Sequence, residues 1–408
     1  MKKLTGLLLP LLLTFHFISA DPLQNPAASA DSLWADSVFR QLSAEQRIAQ
    51  LFMVAAYSNK DQDHLESLLT LVKDYGIGGC IFMQGGPVRQ ARRVNQLQAA
   101  SDVPLLIAAD AEWGLNMRLD STIRYPYQMT LGAIQNDKLI YKMGEAVARQ
   151  LKQVGVRVNF APVVDVNNNP ENPVINFRSF GEDRYNVARK GIAYMRGMQD
   201  NGVIATAKHF PGHGDTDTDS HATLPTIPHD RSRLDSLELY PFRQIINAGI
   251  NGVMTAHLNI PALDSSGRPA TLSKNIISRL LKNTLGFEGL VFTDAMNMGG
   301  VTGTFPPGIV DREAVIAGND VLEFTQDVPR AIIEIKAAIA NGRITEASVN
   351  ERCKKILRYK HRLGLHERGD LATENLVDKL NSAEDRLLKQ QLVEASLTVL
   401  NNRNNLIP

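Results

Sequence analysis

Short apolar runs alternate with amphipathic stretches along most of the chain. Eight runs have β-type composition with apolar residues on both faces: Leu51–Tyr57, Gly79–Met83, Leu105–Asp110, Val158–Val166, Val203–Phe210, Val253–Ile260, Leu290–Met296 and Val321–Thr325. A strand with one wet face alternates apolar and polar residues, so runs of this kind predict parallel strands covered by helices. The intervals predict helices, among them Asp137–Val154, Arg184–Asn201, Leu234–Ala248 and Lys274–Leu285. Eight strand–helix units in succession predict an α/β fold, a (β/α)8 barrel over residues 33–365. A doubly wound open sheet is the weaker alternative, because no Gly-x-Gly-x-x-Gly turn follows the first run. Two further helices are predicted, Ile344–Leu363 with Thr345 as N-cap and Glu374–Ala395. Residues 366–408 read as a helical extension. It ends in a strand-like run, Ser396–Leu400, which would open a further domain beyond these 408 residues.

The first twenty residues follow a different pattern. Met1-Lys2-Lys3 is cationic, Leu4 to Phe17 is apolar and interrupted by Pro10, and Ser19-Ala20 supplies small residues. That layout predicts a signal peptide over 1–20 and an exported protein, periplasmic or secreted. The apolar run is shorter than the roughly 20 residues a membrane span needs, so no membrane association is expected after cleavage. Residues 21–32, rich in Pro, Ala, Ser and Asn, read as a linker.

Composition narrows the function. Lys+Arg is 44 and Asp+Glu 43, a formal charge of +1, so no basic excess is available for a nucleic-acid backbone. Apolar residues at 44% and charged residues at 21% exclude a disordered chain. Two cysteines, Cys80 and Cys353, make neither a disulfide framework nor a four-cysteine zinc site, and both sit in apolar surroundings typical of core.

The strand ends carry the chemistry. In such barrels the active site lies at the C-terminal ends of the strands. Here the third run ends in Asp110, the fourth in Asp165 and the fifth in Lys208-His209. The sixth reaches His257, the seventh Asp294, and the eighth carries Glu323. Six ionisable strand ends predict one polar pocket.

The loop after the fifth run, Lys208-His-Phe-Pro-Gly-His-Gly-Asp-Thr-Asp-Thr-Asp-Ser-His221, allows three readings. Its histidines and aspartates would suit Zn²⁺. A calcium loop is excluded, because counting from Asp215 the sixth and twelfth positions are Ser220 and Thr226 instead of Gly and Glu. In the second reading Asp219 and His221, two residues apart on an extended loop, form an acid/base dyad. The carboxylate fixes the imidazole tautomer, and Lys208 and His209 bind substrate oxygens. In the third the loop is merely a solvated polar turn. Asp294, at the end of an apolar strand, is either a helix-capping residue or a nucleophile facing the pocket.

These residues resemble glycoside hydrolase family 3, in its β-N-acetylglucosaminidase (β-N-acetylhexosaminidase) branch. Lys208-His-Phe-Pro-Gly-His-Gly followed by Asp219-Ser-His221 matches that branch's loop, and the likeness extends over about residues 40–365. The resemblance implies a retaining exo-β-N-acetylglucosaminidase acting on peptidoglycan fragments or chito-oligosaccharides through a covalent glycosyl-enzyme. It implies Asp294 as nucleophile and His221 as acid/base held by Asp219. It implies Asp110, Arg118, Arg178, Lys208 and His209 as sugar-binding residues, and neither cofactor nor metal. The chain departs from the family where a Glu-Gly-Gly-Arg run is usual: Asp110-Ala-Glu-Trp-Gly-Leu places Trp113 and Leu115 there. Ala295 stands where a second Asp often follows the nucleophile. A β-glucosidase or β-xylosidase, a β-GlcNAc phosphorylase, and a non-catalytic sugar-binding module are the alternatives.

Overall fold

The computed structural model describes residues 28–405 apart from His221, Thr304 and Arg368. The expected signal peptide, 1–20, and positions 21–27 of the expected linker lie outside the described residues.

Eight parallel strands form in the predicted order: β1 Phe52–Ala56, β2 Gly79–Phe82, β3 Leu106–Ala109, β4 Val158–Asn159, β5 Ile204–Phe210, β6 Gly252–Thr255, β7 Leu290–Thr293 and β8 Leu322–Glu323. Each pairs with its successor from β1 to β7, and β8 pairs with β1. The seam between β7 and β8 is narrow. Phe292 bridges Val321, and the Val321 N–H donates to the Val291 carbonyl at 3.0 Å. Closure removes the exposed edges that an open sheet would carry. Strands β2 to β8 are buried at every position, which is why their sequences are apolar on both faces.

The outer helices show how close the packing is. The helix Asp137–Gln153 starts where Asn136 accepts a hydrogen bond from the Lys138 N–H, and it buries Ile140, Met143, Val147 and Leu151. It lies against Arg184–Gln199 through two glycines. A Cβ on Gly197 would sit 2.1 Å from the Tyr141 carbonyl oxygen, and one on Gly144 2.5 Å from that of Tyr194.

Several expectations are corrected. The fourth run is strand only over Val158–Asn159, because Pro162 has no N–H to give the ladder. The chain nevertheless continues along β5, with Val164 N–H donating to the Lys208 carbonyl at 2.8 Å. The helix predicted at Leu234–Ala248 is two, Arg231–Ser236 and Leu239–Asn247. Glu374–Ala395 is also two, Leu376–Leu380 and Ala383–Ser396. Ser382 starts the second of these by accepting from the Asp385 N–H at 3.1 Å. Asn275–Thr284 is wound wider than an α-helix, with i→i+5 hydrogen bonds.

The linker reading of 21–32 fails from Ala28 onward. A helix, Ala28–Gln41, packs on Glu346–Arg362, and Asp31 is buried in an ion pair with Arg362 Nε at 2.5 Å. The extension after 365 is fastened to the barrel. Leu376, Leu380, Leu388 and Leu392 join its core, and Asp385 pairs with Arg149 at 2.5 Å. Ser396–Leu400 is not a strand; Leu397 and Leu400 are exposed. Among the described residues no helix is long and apolar enough to cross a membrane.

Candidate active site

The C-terminal ends of the strands surround a pocket of about 600 Å³, a size typical of small-ligand sites. Asp110, Arg118, Arg178, Lys208, His209 and Asp294 all line it.

Local backbone aims these side chains. In the β5–β6 pairing Ala207 lies opposite Val253 and Phe210 opposite Thr255, so one extra residue is accommodated at Lys208-His209. A bulge of this kind re-aims side chains, and both residues face the pocket. The loop after β3 is tied to β4, with Ala111 N–H donating to Asn159 Oδ1 at 2.9 Å. Gln128 clamps the turn that carries Arg178. Its Nε2 donates to the carbonyls of Val163 at 2.9 Å and Arg178 at 2.6 Å.

The pocket floor is a network of buried ion pairs. Lys208 Nζ lies 2.7 Å from Asp110 Oδ1 and 2.9 Å from Glu112 Oε1. Arg118 pairs with the other oxygen of Asp110. Arg178 forks onto Glu112 with Nε at 3.0 Å and Nη2 at 2.7 Å. Burial works against the charged carboxylates. Lys208 and Arg118 nevertheless hold Asp110 well below the ordinary range, and Arg178 and Lys208 hold Glu112 at about 2. Glu112 was not singled out in the sequence; its signal is the Asp110-x-Glu112 spacing, which puts both carboxylates on one side of an extended segment.

Asp165, noted only as a polar strand end, organises the loop. Its carboxylate accepts the backbone N–H of His209 at 3.1 Å and that of His213 at 2.7 Å. Its Oδ2 also lies 2.8 Å from His209 Nδ1. Burial raises Asp165, but the two histidines outweigh it and the carboxyl is lowered. The other ring nitrogen of His209 is 3.3 Å from Arg178 Nη2. Gly214 lets the loop descend against the strand end, since a Cβ there would lie 1.8 Å from the Val166 carbonyl oxygen.

Asp294 follows β7 and opens onto the pocket. Its N–H donates to the Thr255 carbonyl at 3.0 Å, and its Oδ1 accepts from Ala295 N–H at 2.8 Å. Burial opposes ionisation, but His257, His209 and Lys208 lower it overall, so the group is a carboxylate at neutral pH.

The loop continues along the pocket wall. His213 Nε2 lies 3.0 Å from Ser220 Oγ, and burial pushes the His213 imidazole down to about 4. Ser220 lines the pocket, and its carbonyl accepts from Gly300 N–H at 3.2 Å, in the segment that follows β7. Asp219 is half-buried, with its carbonyl accepting from Ala222 and Thr223 N–H at 3.1 Å. His221 lies outside the described residues. Farther along, Asp215, His229 and Glu238 bring ligand-type atoms within 4.8 Å of one another. Arg233 already bridges that set, 3.5 Å from Asp215 and 3.2 Å from Glu238.

Aromatic rings form the outer rim. Trp113 meets Tyr127 edge-on at 4.7 Å, and Tyr127 meets Phe177 at 4.3 Å. Trp113 and Phe177 line the pocket, a surface suited to the apolar face of a sugar or an aryl group.

Comparison with known proteins agrees with this geometry. Residues 43–359 match the family model for the glycosyl hydrolase family 3 N terminal domain. A β-hexosaminidase A from Pseudoalteromonas piscicida is 34% identical over 82% of this chain, which spans 61% of that relative's length. The structure of a glycoside hydrolase family 3 β-N-acetylglucosaminidase from Paenibacillus sp. superimposes with a TM-score of 0.82. It is 37% identical, and the match covers 89% of this chain and 70% of that one. A β-glucoside phosphorylase, BglX, bound to 2FGlc gives a TM-score of 0.85 at 25% identity, with 93% of this chain and 70% of that one covered. The barrel, its ion-paired pocket and these likenesses together place the chain in glycoside hydrolase family 3.

Proposed function

We propose that this protein is a retaining exo-β-N-acetylglucosaminidase that removes terminal β-linked GlcNAc. The observation that carries the reading is the placing of the Asp294 carboxyl, whose ionised form His257 and His209 favour, in one sugar-sized pocket with the Asp110–Lys208–Glu112–Arg178 network. The network's charges are mutually neutralised, which suits hydroxyl binding. Asp294 stands apart from it as an anion able to attack.

In the first step an Asp294 oxygen bonds to C1 as the C1–O bond to the leaving group breaks. His221, polarised by Asp219, gives its proton to the departing oxygen. In the second step His221 takes a proton from water, the resulting hydroxide bonds to C1, and Asp294 is released. A protonated imidazole is attracted to the Asp294 carboxylate, whereas a carboxylic acid in that place would have its pKa raised by the same charge. The names of the Pseudoalteromonas and Paenibacillus relatives support the N-acetylhexosamine preference. The leader-like residues 1–20 support export, and peptidoglycan fragments or chito-oligosaccharides in a periplasm then supply substrate.

A phosphorylase is the second reading, favoured by the likeness to a β-glucoside phosphorylase. A histidine acid/base does not repel phosphate as a carboxylate would. Release of nitrophenol from β-GlcNAc and β-glucoside derivatives, with and without phosphate, tests both. Phosphate-independent release from the β-GlcNAc compound is the expected result. Release only from the β-glucoside, or formation of a sugar 1-phosphate in place of free sugar, would contradict it.

A further inference from the structure

Glu323 ends β8 and lines the pocket with 4% of its surface exposed. Its backbone is fixed on both sides. The Glu323 N–H donates to Thr293 Oγ1 at 2.9 Å, and its carbonyl accepts from Met296 N–H at 2.9 Å. On the other flank, Phe324 N–H donates to the Met53 carbonyl at 2.9 Å. Phe324 has φ +57°, a conformation that side-chain-bearing residues seldom adopt and that gathers at functional sites.

The side chain is unfinished. Among the described residues Glu323 Oε2 is buried without a hydrogen-bond partner, and so is Arg118 Nε. A buried polar atom left in this way costs stability unless something else satisfies it. The cations nearby are already engaged: Lys208 with Asp110 and Glu112, Arg118 with Asp110, and Arg178 with Glu112. Asp110, Asp294, Lys208 and Arg118 line the same pocket as Glu323 and act on its charge. Burial first, and then the charges of Asp110 and Asp294, push its carboxyl well above the ordinary range, against Lys208 and Arg118.

We propose that Glu323 is a sugar-binding, specificity-determining residue whose carboxyl hydrogen-bonds one hydroxyl of the substrate sugar. In its protonated form, which burial and the charges of Asp110 and Asp294 favour, the carboxyl donates through its O–H and accepts through its other oxygen, matching the donor and acceptor capacity of a sugar hydroxyl. No third negative charge then crowds the attacking carboxylate. This inference rests on the glycosidase reading above.

The test compares wild type, Glu323→Leu and Glu323→Gln on nitrophenyl β-GlcNAc and its monodeoxy analogues. Wild type is expected to lose about 10-fold or more in kcat/KM at one deoxy position, the loss of one buried hydrogen bond. Glu323→Leu should lose a similar factor on the parent sugar and nothing further at that same position. Glu323→Gln, which keeps a donor and an acceptor, should recover most of the loss and keep the penalty at that same deoxy position. The proposal is overturned if Glu323→Leu matches wild type, or if it loses as much as wild type does at every deoxy position. Should Glu323→Leu not fold, Glu323→Met takes its place in the same comparison, and the same outcomes overturn the proposal. If wild type releases nitrophenol from no glycoside, the glycosidase reading falls separately. Calorimetric binding of free GlcNAc to wild type and Glu323→Gln then decides the role of Glu323, and equal affinity, or no binding to either, overturns it.

Discussion

The ammonium of Lys208 sits 2.7 Å from Asp110 Oδ1, with both side chains buried and Glu112 completing the other side at 2.9 Å. Removing one member of such a set leaves uncompensated buried charge, at a cost of about 3–5 kcal/mol. Lys208→Met is therefore expected to lower the urea midpoint strongly and to raise KM for aryl β-GlcNAc. Urea titration alongside initial-rate kinetics checks both. A variant with wild-type stability would show that the pair is not the structural unit the distances indicate.

Asp165 holds His209 by its ring and its backbone, and His213 by its backbone. Asparagine cannot reproduce this set of acceptors, because one of its two polar atoms is a donor. Asp165→Asn should misplace His209 and lower kcat/KM by about 10²-fold. Because the native carboxyl is lowered, its contribution to stability is present above its ordinary value of 3.8 and is lost as pH falls through the native value. The variant should therefore show a shallower loss of stability in acid than wild type, as read by denaturation from about pH 5 down to about pH 2.

Lys360 is buried beside Cys80 and Cys353 and donates to Gln50 Oε1 at 2.7 Å, and burial brings its ammonium down to about 7. The unfolded chain, with its lysine near 10.5, then binds the extra proton between about pH 7 and 10.5, so this group makes stability rise with pH across that window. Denaturant midpoints at pH 7 and 9 should show the rise in wild type, and it should be smaller in Lys360→Met. An equal rise in both proteins would assign it to other groups.

The strands were legible in the sequence because a closed barrel buries both faces, and that leaves unbroken apolar runs. Asp110, Lys208, His209 and Asp294 were legible because each ends such a run. Glu112 and Asp165 were not recognised as site residues, since their roles come from partners 66 and 44 residues away. The first helix was hidden by its composition. Residues 28–32 look like a linker until the Asp31–Arg362 pair, 331 residues apart, supplies the reason for order. The strand-like pattern at Ser396–Leu400 misled because Leu397 and Leu400 meet no neighbouring sheet.

The central claim is that Asp294 becomes covalently bonded to the sugar. Incubation with a β-GlcNAc derivative carrying a good leaving group and a fluorine that slows the second step, followed by digestion and mass spectrometry, tests it directly. The account predicts one sugar per chain on the peptide containing Asp294, and none in Asp294→Asn. A sugar attached to another residue, or turnover by Asp294→Asn at the wild-type rate, would contradict it.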